Sequence, residues 1–344
     1  AATQRAQAAR VEGLFHFDPA AAPADAWTPL AERAERPARA VLLVHGLDEP
    51  GDIWIDFAPA LAAANHTVIR FDYPNDQAIA NSTDALGLAL QTLRARGVTH
   101  VSIVGHSMGG LISRDVATSL DWYAADSSDP VRPARPNLPR LDHVIMVGTP
   151  HHGAGLIFLR PLSELREHLA RWAASETRDP AHLLGCLFDG SGQAATDLLP
   201  GSNYLINLAS RPLPTGDSAP QFTLITGSFT GLTSADLEEF AGSSLARELL
   251  SEKDRESLAA ALAELNQRLG DGVVSSTSSA LEAVSDSVEV DADHRSMLKR
   301  WNARKWIDDV LGRDPADAAQ PPAIKVILDR LGPAEGASVP PVKP

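Results

Sequence analysis

Short aliphatic and β-branched runs recur along the first half of the chain. They are Ala40-Val41-Leu42-Leu43-Val44, Thr67-Val68-Ile69-Arg70-Phe71, Val101-Ser102-Ile103-Val104 and Val144-Ile145-Met146-Val147. Near-continuous apolar runs of this length suit strands covered on both faces. Between them the apolar spacing lengthens to three or four residues, as over Ser82–Ala95, where Ser82 or Thr83 supplies a cap and Gly97 a stop. Strand, helix and strand in repetition predict βαβ crossovers, hence an α/β fold with a mostly parallel, doubly wound sheet. No internal repeat is visible.

The alternation breaks after Pro150, and the next strand-like run is Gln221-Phe222-Thr223-Leu224-Ile225-Thr226. So long an interval is more than a loop spans. Helical spacing at Leu162–Trp172 and Tyr204–Leu208 predicts a helical cap inserted over 153–220. A second insertion, 234–270, carries one or two amphipathic helices, and Ser287-Val288-Glu289-Val290 is the last strand-like run. At the start, the apolar island Val11–Phe17 is expected to add an edge strand or lie over the core. At the end, a Pro- and Ala-rich tail over 314–344 is expected to be loosely ordered apart from a helix at Ala323–Leu331. One elaborated domain, 1–344, is the expected organisation.

Charge narrows the function classes. With 44 acidic and 30 basic side chains, the formal net charge is −14. Nucleic-acid binding, which needs clustered Lys and Arg, is not expected. The lone Cys186 has no partner for an intrachain disulfide and no second thiol for a Cys-rich zinc site. No uninterrupted apolar run reaches the roughly 18 residues of a membrane-spanning helix, so no transmembrane segment is expected. The chain begins Ala-Ala-Thr, with no initiating Met, which favours a trimmed secreted or periplasmic form.

The chemistry concentrates at Gly105-His106-Ser107-Met108-Gly109-Gly110, between the strand Val101–Val104 and the helical pattern Leu111–Leu120. A serine hydroxyl is a weak nucleophile until a base is held beside it. A sharp strand-to-helix turn flanked by glycines lifts its oxygen above the sheet. Ser107 is therefore the candidate nucleophile. The strand Val41–Val44 ends in His45-Gly46-Leu47, a turn whose backbone N–H groups can face a developing oxyanion. Leu47 N–H and Met108 N–H form the candidate donor pair.

In this architecture an acid and then a histidine follow the serine. Of His143, His151, His152, His182 and His294, only His294 lies beyond the last strand-like run, in Asp291-Ala292-Asp293-His294. For the acid, Gly270-Asp271-Gly272-Val273-Val274 is the leading site, with Asp286, Asp291 and Asp293 as rivals.

These elements resemble the α/β-hydrolase superfamily, and within it the bacterial lipase and esterase branch, over most of residues 40 to 300. The resemblance rests on Val44-His45-Gly46-Leu47, the Gly105–Gly110 motif, Gly148-Thr149-Pro150-His151-His152-Gly153, Pro200-Gly201-Ser202-Asn203-Tyr204-Leu205, and Asp271-Gly272-Val273-Val274 with His294 beyond. It implies a Ser107, Asp271 and His294 triad and an acyl-enzyme on a carboxylic ester or lipid substrate, with no cofactor. His151 and His152 would shape the rim of the cap. His45, His106, His151, Leu156 and Phe158 are the candidate substrate-binding residues. Some secreted lipases of this kind hold calcium near the catalytic histidine, but Arg295-Ser296-Met297-Leu298-Lys299 does not reproduce that pattern, so no metal is expected. If the cap opens as a lid, transient contact with a lipid surface follows. An acyltransferase or thioesterase would use the same residues, and a non-catalytic binding protein on this fold would show a broken triad.

Overall fold

The computed structural model describes residues 12–32, 37–47, 51–123, 137–154, 192–228, 274, 276–300 and 320–334. In chain order the strands are β1 (Gly13–Phe17), β2 (Trp27–Pro29), β3 (Arg39–Val44), β4 (Val68–Asp72), β5 (His100–His106), β6 (Arg140–Val147), β7 (Gln221–Gly227) and β8 (Asp286–Val290). The helices are α1 (Phe57–Ala63), α2 (Ile79–Ala95), α3 (Met108–Thr118), α4 (Gln193–Asp197), α5 (Asn203–Ala209) and α6 (Pro322–Leu331). A single helical turn covers Ser276–Ser279.

The eight strands form one sheet in the order β2-β1-β4-β3-β5-β6-β7-β8. From β4 to β8 every pairing is parallel, while β1 runs antiparallel to β4 and to β2. The sheet is therefore mostly parallel and wound outward in both directions from β3 and β5. The expected N-terminal strand is present as β1, but it lies one place in from the edge. The edge is the three-residue β2, which its Pro29 makes poor at extending the ladder.

Strand period explains the continuous apolar runs. In β3, Leu42 and Val44 face a core with Ile103, Leu86, Leu90, Leu111 and Ile112, on the side of α2 and α3. Val41 and Leu43 face the opposite core with Trp54, Phe57, Leu61, Ile324 and Ile327, on the side of α1 and α6. Both faces are dry, so alternation with polar residues is absent.

One boundary differs from expectation. Helix α2 begins at Ile79, ahead of Ser82, and neither Ser82 nor Thr83 caps it. Its first N–H is instead taken by a carboxylate from another helix: Ile79 N donates to Asp197 Oδ2 at 2.9 Å. The far end stops as expected at Gly97, which adopts φ +96°.

Helix α6 belongs to the packed body, with Ala323, Ile324 and Ile327 buried. Its Arg330 makes paired 2.8 Å bonds to the Asp286 carboxylate, which also accepts from Thr223 Oγ1 at 2.8 Å. Arg330 first, then Thr223, holds the Asp286 carboxyl below its ordinary value against a smaller burial effect. A carboxylate depressed on folding stabilises above the unfolded-state value of about 3.9 and loses that contribution as pH falls through its folded value. Asp286→Asn is therefore expected to lower the melting temperature at pH 7 by about 2 °C, since the pair is partly exposed. The gap to the parent should close below pH 4. A gap undiminished in strong acid, measured by thermal melts across pH, would assign the effect to packing.

Candidate active site

The strand β5 ends at His106 and α3 begins at Met108, so Ser107 alone makes the turn. It does so at φ 54°, ψ −125°, a conformation that non-glycine residues rarely adopt. The neighbouring glycines show why the turn closes this tightly. A Cβ on Gly105 would lie 2.5 Å from Gly109 O, one on Gly109 would lie 2.1 Å from Val44 O, and one on Gly110 would lie 1.9 Å from Thr149 Oγ1. At Gly105 and Gly109 backbone meets backbone, and at Gly110 the backbone meets the Thr149 side chain, so no side chain fits at any of the three. Ser107 N donates to Val147 O at 2.8 Å, which ties the turn to β6. Met108 opens α3, and its N–H is among the first-turn donors without an intrahelical acceptor.

His294 sits just past β8, at the same strand-end edge as Ser107, and is buried at 7% exposure. The residue before Ser107 fixes it there. His106 Nε2 lies 2.8 Å from His294 O, and because a carbonyl only accepts, that nitrogen carries the proton. The two rings stand 4.6 Å apart at 47°. The backbone of the candidate base is thus held one residue from the candidate nucleophile.

Gly46 lies directly against the elbow: a Cβ there would come 2.8 Å from Ser107 Cβ and 3.4 Å from Ser107 Oγ. Leu47 N–H is the next donor along. His45 is fully buried, stacks on Tyr73 at 4.3 Å and 16°, and places Nδ1 2.8 Å from Gly46 O. His45 and His106 thus have protein partners inside the turn-bearing layer. Tyr73 and Asn75, which sequence reasoning passes over, also reach this turn. The available signal is their place: Tyr73-Pro74-Asn75 follows β4 directly, at the same edge as His45 and beside it in the sheet.

The Gly148–Gly153 and Pro200–Leu205 motifs meet. Gly153, at φ +93°, lies against Pro200, with room for no Cβ (2.7 Å from Pro200 N), and Ala154 N donates to Leu198 O at 3.0 Å. His151 is 2% exposed, and its Nδ1 stands 3.5 Å from Arg114 Nη1. Burial first, then the charge of Arg114, pushes the His151 pKa down to about 3, so the imidazole is neutral. Arg114 Nη2 donates to Leu208 O at 3.2 Å, and Asp115 of α3 pairs with Arg211 and accepts from Thr83 at 2.9 Å. These bonds fasten the C-terminal end of α5 to α3, the helix that follows the Ser107 turn.

Two rival acids are otherwise engaged. Asp286 is held by Arg330 and Thr223 at the start of β8, the end of the strand opposite His294. Asp293 Oδ1 accepts from Arg295 N at 2.9 Å and Ser296 N at 3.0 Å, capping the turn that follows. Burial raises its pKa against those bonds. Asp291 is exposed. Asp271, Leu156 and Phe158 lie outside the described residues, as do residues 155–191 of the insertion expected to form a cap. Among the described residues, no three His, Cys, Asp or Glu side chains converge as metal ligands, and no helix is long and apolar enough to cross a membrane. A hollow of about 380 Å³ lined by Arg39, His66, His100, Asp142 and His143 opens at the opposite strand ends, away from Ser107.

The fold has solved counterparts. The mature form of the Bacillus licheniformis lipase BlEst2 is similar over 88% of this chain and 98% of its own, at 17% identity and a TM-score of 0.50. Its propeptide form is similar over 89% of this chain, at 16% identity and a TM-score of 0.49, and the match spans 54% of that longer chain. At these identities the likeness is one of fold. No curated protein sequence matches. A family model described as alpha/beta hydrolase family matches residues 41–304, from β3 past His294. With the greater part of its length under that model, this chain belongs to the alpha/beta hydrolase family.

Proposed function

We propose that the chain is a serine carboxylic-ester hydrolase of the lipase or esterase type, working without a cofactor. Ser107 Oγ attacks the ester carbonyl and its proton passes to His294. The tetrahedral intermediate places its oxyanion between Leu47 N–H and Met108 N–H, then expels the alcohol, which takes the proton from His294. Water, deprotonated by His294, attacks the acyl-enzyme; collapse of the second tetrahedral intermediate returns that proton to Ser107 Oγ and releases the acid. Asp271 is the proposed partner that holds the imidazole tautomer.

The observation that carries this reading is the juxtaposition at the elbow. Ser107 stands at positive φ on a strand-to-helix turn, and its neighbour His106 bonds the backbone of His294. A strained turn held by glycines is retained where its geometry is used.

A fluorophosphonate probe tests it. The parent is expected to label stoichiometrically, with the adduct mapped by mass spectrometry to the peptide containing Ser107. Turnover of a p-nitrophenyl ester should rise with pH through the range where imidazoles ordinarily titrate, about 6.5. His294→Ala should remove that dependence together with most of the activity, and Asp271→Asn should retain a part of it. Labelling elsewhere, or none, would sink the proposal. Added alcohol, followed by product analysis, separates hydrolysis from acyl transfer.

A further inference from the structure

The turn after β3 is held by the loop after β4. Tyr73 Oη donates to His45 O at 2.6 Å, and the phenol is buried, which raises its pKa and keeps it a donor at working pH. Asn75 Nδ2 donates to Gly46 O at 3.4 Å, and His45 Nδ1 reaches the same oxygen at 2.8 Å. Two consecutive carbonyls, those of His45 and Gly46, are therefore both tied down.

That has a directional consequence. Among the described residues no peptide bond is cis, and in a trans peptide the C=O and the following N–H point in opposite directions. Fixing the Gly46 carbonyl therefore aims Leu47 N–H the other way. Gly46 itself lies against Ser107, so this peptide borders the space above the nucleophile. Glycine offers little steric resistance to rotation of that peptide, so its orientation depends on the bonds to its oxygen.

The holding loop is itself anchored. Ser82 Oγ donates to Pro74 O at 3.4 Å, Ala194 N donates to Asp76 O at 3.4 Å, and Asp197 caps Ile79 at 2.9 Å. Tyr73 and Asn75 thus stand between α4 and the turn beside Ser107.

We infer that Tyr73 and Asn75 are positioning residues for the oxyanion hole: Tyr73 holds the His45–Gly46 peptide and Asn75 the Gly46–Leu47 peptide, so that Leu47 N–H faces the anionic oxygen. The inference rests on the ester-hydrolase reading of Ser107. Neither side chain touches the substrate in this role. Their effect falls on the state in which the oxygen carries charge, so it belongs to kcat and not to KM.

Asn75→Asp and Tyr73→Phe test this. The first keeps shape but replaces a donor by an oxygen facing Gly46 O, and the second deletes one hydroxyl and keeps the stack on His45. Losing an oxyanion donor outright costs about 10²–10³ in rate, so loosening one is expected to lower kcat by roughly 10–50-fold. KM should stay within about twofold. An alkyl boronic acid, which forms a tetrahedral adduct on serine, should bind more weakly by the same factor as kcat falls. Asn75→Asp should be at least as damaging as Asn75→Ala, an order that a space-filling role would reverse. If Tyr73→Phe fails to fold, the Asn75 pair decides. Folded Asn75→Asp with parental kcat, or a loss confined to KM, overturns the inference while a Ser107-labelled parent keeps the ester-hydrolase reading intact. A parent that neither labels nor turns over overturns both.

Discussion

Ser107→Ala is expected to lower kcat on a p-nitrophenyl ester by on the order of 10⁴–10⁶-fold while the protein stays folded. The residue is 5% exposed, its backbone is fixed by Val147 O, and Gly110 N donates to Ser107 O at 2.9 Å. None of these ties uses the hydroxyl. Alanine at this position keeps the φ of 54° and so the same strain, which leaves the melting temperature near the parent's. Ser107→Gly separates the two quantities further. Glycine adopts positive φ freely, so that variant should be equally inactive yet no less stable, with relief of strain offsetting the flexibility glycine adds to the unfolded chain. Stability is read by calorimetry and activity by initial rates on the same preparations. Near-parental turnover in either variant would require another nucleophile.

Why the elbow was legible and its surroundings were not comes down to the range of the determining contacts. The strands announce themselves because each residue of β3 has a dry neighbour on its own face, so Val41 and Leu43 are as apolar as Leu42 and Val44. The motif Gly105–Gly110 is legible because Gly105 answers to backbone within a few residues and Gly109 to backbone at the end of the adjoining strand. The start of α2 was misplaced because its cap, Asp197, is 118 residues away and local propensity pointed to Ser82. The rival acids are indistinguishable in sequence. Asp286 is engaged by Arg330, 44 residues on, and Asp293 by the N–H groups of its own turn. Chain order singles out His294 as a candidate, yet the bond that holds it, from His106 across 188 residues, has no local signature. Tyr73 and Asn75 look like an ordinary strand-exit turn until the neighbouring strand is known.

Gly109→Ala is expected to lower both stability and turnover, against the direction that helix propensity gives. In an unconstrained helix, alanine is more stable than glycine by about 1 kcal/mol. Here the added carbon would stand 2.1 Å from Val44 O and 2.6 Å from His45 O, both backbone atoms of the turn that carries Gly46 and Leu47. Neither can swing aside as a side chain would, so α3 must back away from β3. Overpacking of this kind costs about 1–3 kcal/mol, which for a chain of this size is a fall in melting temperature of roughly 2–6 °C. The same displacement separates Ser107 and Met108 N–H from Leu47 N–H, and a misplacement of about 1 Å at reacting groups can cost about 10²-fold in rate. Gly87→Ala is the contrasting case. Its Cβ would meet the ring of the partly buried Trp122 at 2.2 Å, a side chain that donates to Asp84 Oδ1 of α2 at 3.1 Å and can shift as backbone cannot. Stability there is expected to fall with kcat preserved. If Gly109→Ala instead melts like the parent and keeps its kcat, α3 and β3 can separate without disturbing the site, and the close backbone contact has no part in setting the nucleophile's position.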